Sequence, residues 1–232
     1  MTFELSSDQQ AVRDRALALA ATLLNQAAAI DRSMTLAAGV GQQIADLVSD
    51  DALSNVLMVE AIAAASGAAA LSVITTSPEA SPLGLSGLKG AATIDDGLRA
   101  QVLLAAAAVG LGQAALDVAL AELRHAAAHP GSHEEKPHWV VADAATELAA
   151  ARLLTYKAAA TSSDADTALA RLMASSAAQH AIDAALRIAG PSGLQEGHVL
   201  ERLARDIRAI GLVAGTEERQ RAVAADALLP TM

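Results

Sequence analysis

An all-α helical bundle is the fold class this sequence predicts, and three observations predict it. Ala, Leu, Arg, Gln and Glu dominate, while β-branched and aromatic residues are sparse, with one Phe, one Trp and one Tyr in 232 residues. Hydrophobic residues make up 53 % of the chain and recur at helical spacing. Capping residues and Gly/Pro breakers separate the periodic stretches.

In chain order, Ser6 and Gln9 stand at capping-box spacing and open a first helix that runs to about Ala29, with Asp31 breaking the pattern. A second helix is expected over Met34 to Leu47, weakened by Gly39 and Gly41. Asp50 and Asp51 begin a third, running to about Val73. The stretch from Thr75 holds Pro78, Pro82, Gly84, Gly87 and Gly90, has no helical period, and reads as a linker or compact loop. From Asp95 a long helix extends to about Ala128, stopped by Pro130; its middle, VLLAAAAVGLGQAAL, is apolar nearly all round and must be buried. HPGSHEEKP is a loop, and HWVVADAATELAAARLLTYKAAA is the next helix, with Asp143 and Glu147 on its wet side. Ser163-Asp164 starts another that ends at Gly190-Pro191, and two shorter helices follow around Val199–Ile210 and Thr216–Leu229. Alanine-rich faces favour close backbone approach and are compatible with dimerisation.

The same composition excludes several function classes. A formal charge of −10 lacks the basic face that nucleic acid requires, and three aromatics are too few for base stacking. No cysteine means no disulfide framework, thiolate metal site or thiol nucleophile, which fits a reducing cytoplasm. MTFELSSDQQ has neither the basic nor the apolar region of a signal peptide. The longest uncharged run, between Glu60 and Glu79, is too rich in Ala and Ser for a membrane span. The expectation is a soluble cytoplasmic protein with no membrane or nucleic-acid partner.

Generic motifs for chemistry are few. His125 and His129 share a helical face, but no H-E-x-x-H pattern accompanies them, His133 and His138 fall in the loop, and a helix C-terminus accounts for positive charge there; no metal site is assigned. The acidic pairs Asp95-Asp96 and Glu217-Glu218 sit in first helical turns, where the macrodipole favours them, and Glu134-Glu135 lies in the loop. Gly110 and Gly112 are mid-helix with no preceding strand, so they form no phosphate-binding loop.

Longer strings carry a family resemblance. FELSSDQQAVRD and NVLMVEAIAAASGAAAL resemble helices of the N-terminal domain of acyl-CoA dehydrogenases. VVADAATELAAARLLTYKAAA and AGPSGLQEGHVLERLARDIRAIGLVAGTEERQR resemble that family's C-terminal domain, the latter its Gly-Gly-x-Gly-Tyr…Arg-Asp…Glu-Gly-Thr block. The resemblance implies N- and C-terminal helical domains over 1–74 and 93–232. It also implies that 75–92 replaces the family's central β domain, since roughly a hundred residues cannot fit there. It further implies FAD, acyl-CoA, flavin contacts at Gly190, Gly193 and Thr216, and a contact from Arg124 to the flavin of a neighbouring subunit. Local sequence equally makes Thr216 an N-cap, Gly190 and Gly193 a helix end, and Arg205 and Asp206 an ion pair or cap.

The departures from the family pattern bear on activity. The family's proton-abstracting Glu falls on Ala214 or, in some members, on Ala100, and a methyl group cannot act as a base. Asp96, one turn earlier, is the candidate for a shifted base. Two readings follow. The chain is a subunit of a flavin-dependent acyl-CoA-oxidising complex, hetero-oligomeric with a full-length family member, or it is a homo-oligomeric scaffold or regulatory paralogue without activity. A third is new chemistry at Asp96, Glu196 or the histidines.

Overall fold

The computed structural model describes residues 4–33, 36–37, 39–74, 97–128, 138–212 and 216–229. Among them are nine α-helices and no strand: α1 Ser7–Ser33, α2 Val40–Ala45, α3 Ala52–Ala65, α4 Gly67–Ile74, α5 Leu98–Ala128, α6 His138–Thr161, α7 Asp164–Ala189, α8 Val199–Leu212 and α9 Glu217–Leu228. The bundle predicted from the sequence is the observed architecture. The linker 75–92, Asp95-Asp96, His129, His133, Glu134-Glu135 and Ala214 lie outside the described residues.

α1 opens on the expected capping box. The Gln9 N–H donates to Ser6 Oγ at 3.2 Å, and the Ser6 N–H donates to Gln9 Oε1 at 3.0 Å. The helix does not stop near Ala29 but continues to Ser33. Its buried stripe through Leu23, Ala27 and Ile30 reaches that far, and one Asp costs a helix interior well under 1 kcal/mol. The second expected helix shrinks to Val40–Ala45, because Gly39 at φ +84° takes the left-handed conformation just before it.

The third expected helix is two. Asp51 caps α3, accepting from the Ser54 N–H at 2.9 Å, but Ser66 is extended at φ −156° and ψ 113°. Its Oγ accepts from the Ala69 N–H at 3.2 Å and starts α4. Gly67 makes room at this break: a Cβ there would stand 2.7 Å from Oδ2 of buried Asp206, which α8 brings against the start of α4. Arg205 pairs with Glu201 one turn before, at 3.3 Å. The Arg-Asp pair thus serves structure, as an ion pair and a packing contact.

α5 is the centre of the molecule, and every residue from Ala100 to Gly112 is buried. It is long and apolar enough to cross a membrane, yet 78 % of its most apolar window is buried inside the protein, which accounts for its composition. α3, α6 and α7 pack around it, α1 lies on α3, and α8 closes the far side.

Gly110 and Gly112 are the crossing points. A Cβ on Gly110 would overlap the Glu60 carbonyl oxygen of α3, and one on Gly112 would meet Ala178 Cα of α7 at 2.9 Å. α7 begins at Ser163, whose Oγ accepts from the Asp166 N–H at 3.5 Å. It ends at Gly190, which the sequence anticipates; the 3-10 turn that follows over Gly190–Leu194 it does not.

Candidate functional site

The first turns of α5, the middle of α7, the end of α8 and the start of α9 converge on one buried polar network. Arg171, 3 % exposed, donates from Nε to Gln101 Oε1 at 3.3 Å, from Nη1 to Ser175 Oγ at 2.9 Å and from Nη2 to the Ile210 carbonyl at 2.8 Å. Gln220 of α9 donates to the same Gln101 oxygen at 3.3 Å. Burial lowers the Arg171 pKa to about 10, with the Glu217 carboxylate pulling it back up, so the guanidinium stays charged at neutral pH. A cavity of about 10 Å³ between Arg171, Ser175, Gly211 and Glu217 is the size of a single water.

This network adjoins Ala100, one of the two places where the resemblance expects a base, and its own side chains are a guanidinium, two amides and a hydroxyl. Ala100 is a buried methyl beside the neutral amide of Gln101. Glu217 is engaged by Arg221 at 2.7 Å. Glu218 has its carboxyl held below the usual range by its own backbone N–H and by Thr216, so it is a weakened base as well as a surface one. Thr216 caps α9, its Oγ1 accepting from the Arg219 N–H at 3.4 Å. Asp96, the candidate for a shifted base, lies outside the described residues.

The four positions that the resemblance assigns to flavin do not come together. α5 and α7 run in the same direction, with Gln101 beside Arg171 and Gly112 beside Ala178. Arg124, exposed near the end of α5, and Gly190 and Gly193, at the end of α7, therefore share one end of the bundle. Thr216 is at the other, beside Gln101, roughly 35 Å away along α5 at 1.5 Å per residue. Gly193 is also no cradle: a Cβ there would meet Leu186, Ala189 and Leu200 at 3.1–3.3 Å, so its bareness serves packing. Gly190 is open, and its φ of +70° explains it as a helix end. Among the described residues, these four positions do not form one flavin site within a single copy of the chain.

A second polar cluster, which the sequence reading missed, joins α3, α5 and α6. Arg152 donates to Glu60 Oε1 at 2.7 Å and to Gln113 Oε1 at 2.8 Å, and Tyr156 donates to Glu60 Oε2 at 3.0 Å. A cavity of about 380 Å³ opens above them, with Arg13 and Leu17 of α1 on its rim. Burial and the Glu60 carboxylate push the Tyr156 phenol well above its ordinary range, only partly offset by Arg152 and Arg13. The available signal for both clusters is a charge on a helix's apolar stripe, Glu60 in MVEAIAAA and Arg171 in ALARLMAS. Among the described residues no group of three His, Asp or Glu is placed to hold a metal.

Comparison with known proteins follows this division of the chain. A sequence model described as acyl-CoA dehydrogenase, C-terminal domain, matches residues 94–229. Cyclohex-1-ene-1-carbonyl-CoA dehydrogenase of Geobacter metallireducens is 35 % identical over 137 residues, 56 % of this chain and 36 % of that protein. The mitochondrial short-chain specific acyl-CoA dehydrogenase of Rattus norvegicus is 37 % identical over 144 residues, 59 % of this chain and 34 % of that one. The matches thus span little more than a third of those relatives' length. The butyryl-CoA dehydrogenase of Megasphaera elsdenii superposes with a TM-score of 0.80 at 18 % identity, over 98 % of this chain and 100 % of that chain, which speaks for the fold. With a match covering more than half of its length, this chain belongs to the acyl-CoA dehydrogenase family.

Proposed function

We propose that this chain is the helical component of a flavin-dependent, acyl-CoA-oxidising assembly and does not oxidise acyl-CoA alone. The observation that carries this reading is the division of Arg124, Gly190 and Gly193 from Thr216 at opposite ends of the bundle. A flavin touching both groups needs a second subunit to bring them together. The methyl of Ala100 supports it, since the proton acceptor must then also come from elsewhere. On this reading the segment 75–92 stands where relatives carry their β domain, and the partner is a full-length family member that supplies that domain, the base and most of the FAD contacts.

The absorption spectrum of the chain purified by itself is the first test. It should be colourless, and it should not reduce an artificial electron acceptor in the presence of acyl-CoA. Purification from the native host should then recover a full-length family member with it. Stoichiometric FAD retained by the chain alone would overturn the reading. A flavin-free homo-oligomer with no such partner would favour the inactive scaffold instead.

A further inference from the structure

A cavity of about 280 Å³ lies where the start of α3, the start of α5 and the end of α6 meet, lined by none of the residues of the two polar clusters described above. Its walls are apolar: Val56, Val102, Leu103, Ala158 and Ala159 are all buried. The volume is just below the roughly 300–1,000 Å³ typical of pockets for drug-sized molecules, which suits something smaller. Its mouth is polar in two opposite senses. Arg99 lines it in the first turn of α5, where the helix's unpaired N–H groups add partial positive charge. Asp50 lines the same mouth, together with the end of α6, whose terminal carbonyls add partial negative charge. Arg99 and Asp50 are exposed, and neither pairs with the other or with another described residue.

Two further features mark the cavity as more than a packing defect. Asn55, 3 % exposed, holds the Ser49 backbone through its Oδ1 and one Nδ2 hydrogen, which leaves its second amide hydrogen for whatever enters. Ser162, at the end of α6, has φ +50°, a left-handed conformation uncommon outside glycine. A purely apolar ligand would leave the paired mouth charges unused, and a simple carboxylate would meet Asp50 as well as Arg99.

We propose that this cavity binds a free apolar α-amino acid of about the size of leucine. Its carboxylate faces Arg99 and the start of α5, its ammonium faces Asp50 and the end of α6, and its side chain occupies the apolar slot. The inference is independent of the acyl-CoA-oxidising role, because Ala100, Thr216 and the flavin positions do not line this cavity.

Calorimetric titration of the full chain tests it with four probes. L-leucine should bind saturably with a dissociation constant of about 1 mM or tighter. Isocaproate and isoamylamine, which keep the tail and one charge each, should bind at least tenfold more weakly, and glycine should not bind. The surface variant Arg99→Gln should weaken leucine at least tenfold while sparing isoamylamine, and Asp50→Asn should weaken leucine while sparing isocaproate. Absence of leucine binding at 10-fold that concentration, or equal binding of isocaproate, overturns the proposal. Thermal melts of both variants should match the parent chain, which separates lost binding from lost folding.

Discussion

Replacing Gly110 by alanine adds one methyl group where α3 and α5 cross. By helix propensity alone the change should stabilise α5 by up to about 1 kcal/mol. The structure reverses the sign. The new Cβ would overlap the Glu60 carbonyl oxygen and stand 2.9 Å from Ala63 Cβ, against 3.4–4 Å for an ordinary contact. A main-chain carbonyl cannot rotate away, so α3 and α5 must move apart where they cross. Overpacking of this kind costs about 1–3 kcal/mol, and the rigid obstacle puts it at the upper end. The net loss is about 2 kcal/mol, or roughly 4–8 °C in Tm for a chain of this size. Urea denaturation followed by circular dichroism measures it directly. Gly41→Ala and Gly211→Ala are the internal controls: both lie in helices with nothing within 4 Å of the new methyl, and should be neutral or up to about 1 kcal/mol more stable. If Gly110→Ala melts at or above the parent temperature, in line with these controls, the close-crossing argument is wrong.

Three other predictions concern ionisation and the half-buried Glu60–Arg152 pair. Tyr156 is the chain's one tyrosine, so absorbance at 295 nm titrates it alone; no tyrosinate should form in the folded protein until pH is well above 10. The folded state keeps that proton longer than the unfolded state, so stability from Tyr156 is complete below pH 10 and lost above it, and Tyr156→Phe should abolish that part of the alkaline loss. Removing one partner of the Glu60–Arg152 pair, by Arg152→Met or Glu60→Gln, should cost about 1–3 kcal/mol, with the double variant less destabilised than the sum of the singles in a denaturation cycle. Asp166, with its carboxyl held below the usual 3.8 by Lys157 and Thr161, supports stability above that pH and loses it as pH falls through and below it. Asp166→Asn should therefore show a shallower fall in Tm between pH 5.5 and 2.5.

Much of this fold is legible in the sequence because its helices begin with local signals. Ser6, Asp51, Ser163 and Thr216 each cap the helix that follows, and capping depends on residues only three apart. The break at Ser66 is not legible, since Ala61 to Ala70 keeps a helical apolar pattern across it. At the split between α3 and α4, Gly67 packs against Asp206, a residue far away in sequence. The candidate site divides in the same way. Ala100 and the cap at Thr216 can be read from strings, whereas the separation of Arg124 from Thr216 depends on α5 and α7 running the same way, a tertiary fact. The networks around Arg171 and Glu60 were missed because a charge on an apolar stripe does not say which helix will supply its partner.

The Glu60–Arg152 pair and the Gly110 crossing have a mechanical meaning for the whole molecule. Both tie the helices before Ile74 to those after Leu98 through side chains and surface shape, without using the peptide link between them. Chain continuity across positions 75–97 is therefore a minor part of what keeps the two halves together. A cut there would leave two fragments that still recognise each other, and an insertion there would hang from the bundle without prising it open. The helical halves behave as the two parts of a clasp, held by the surfaces they share.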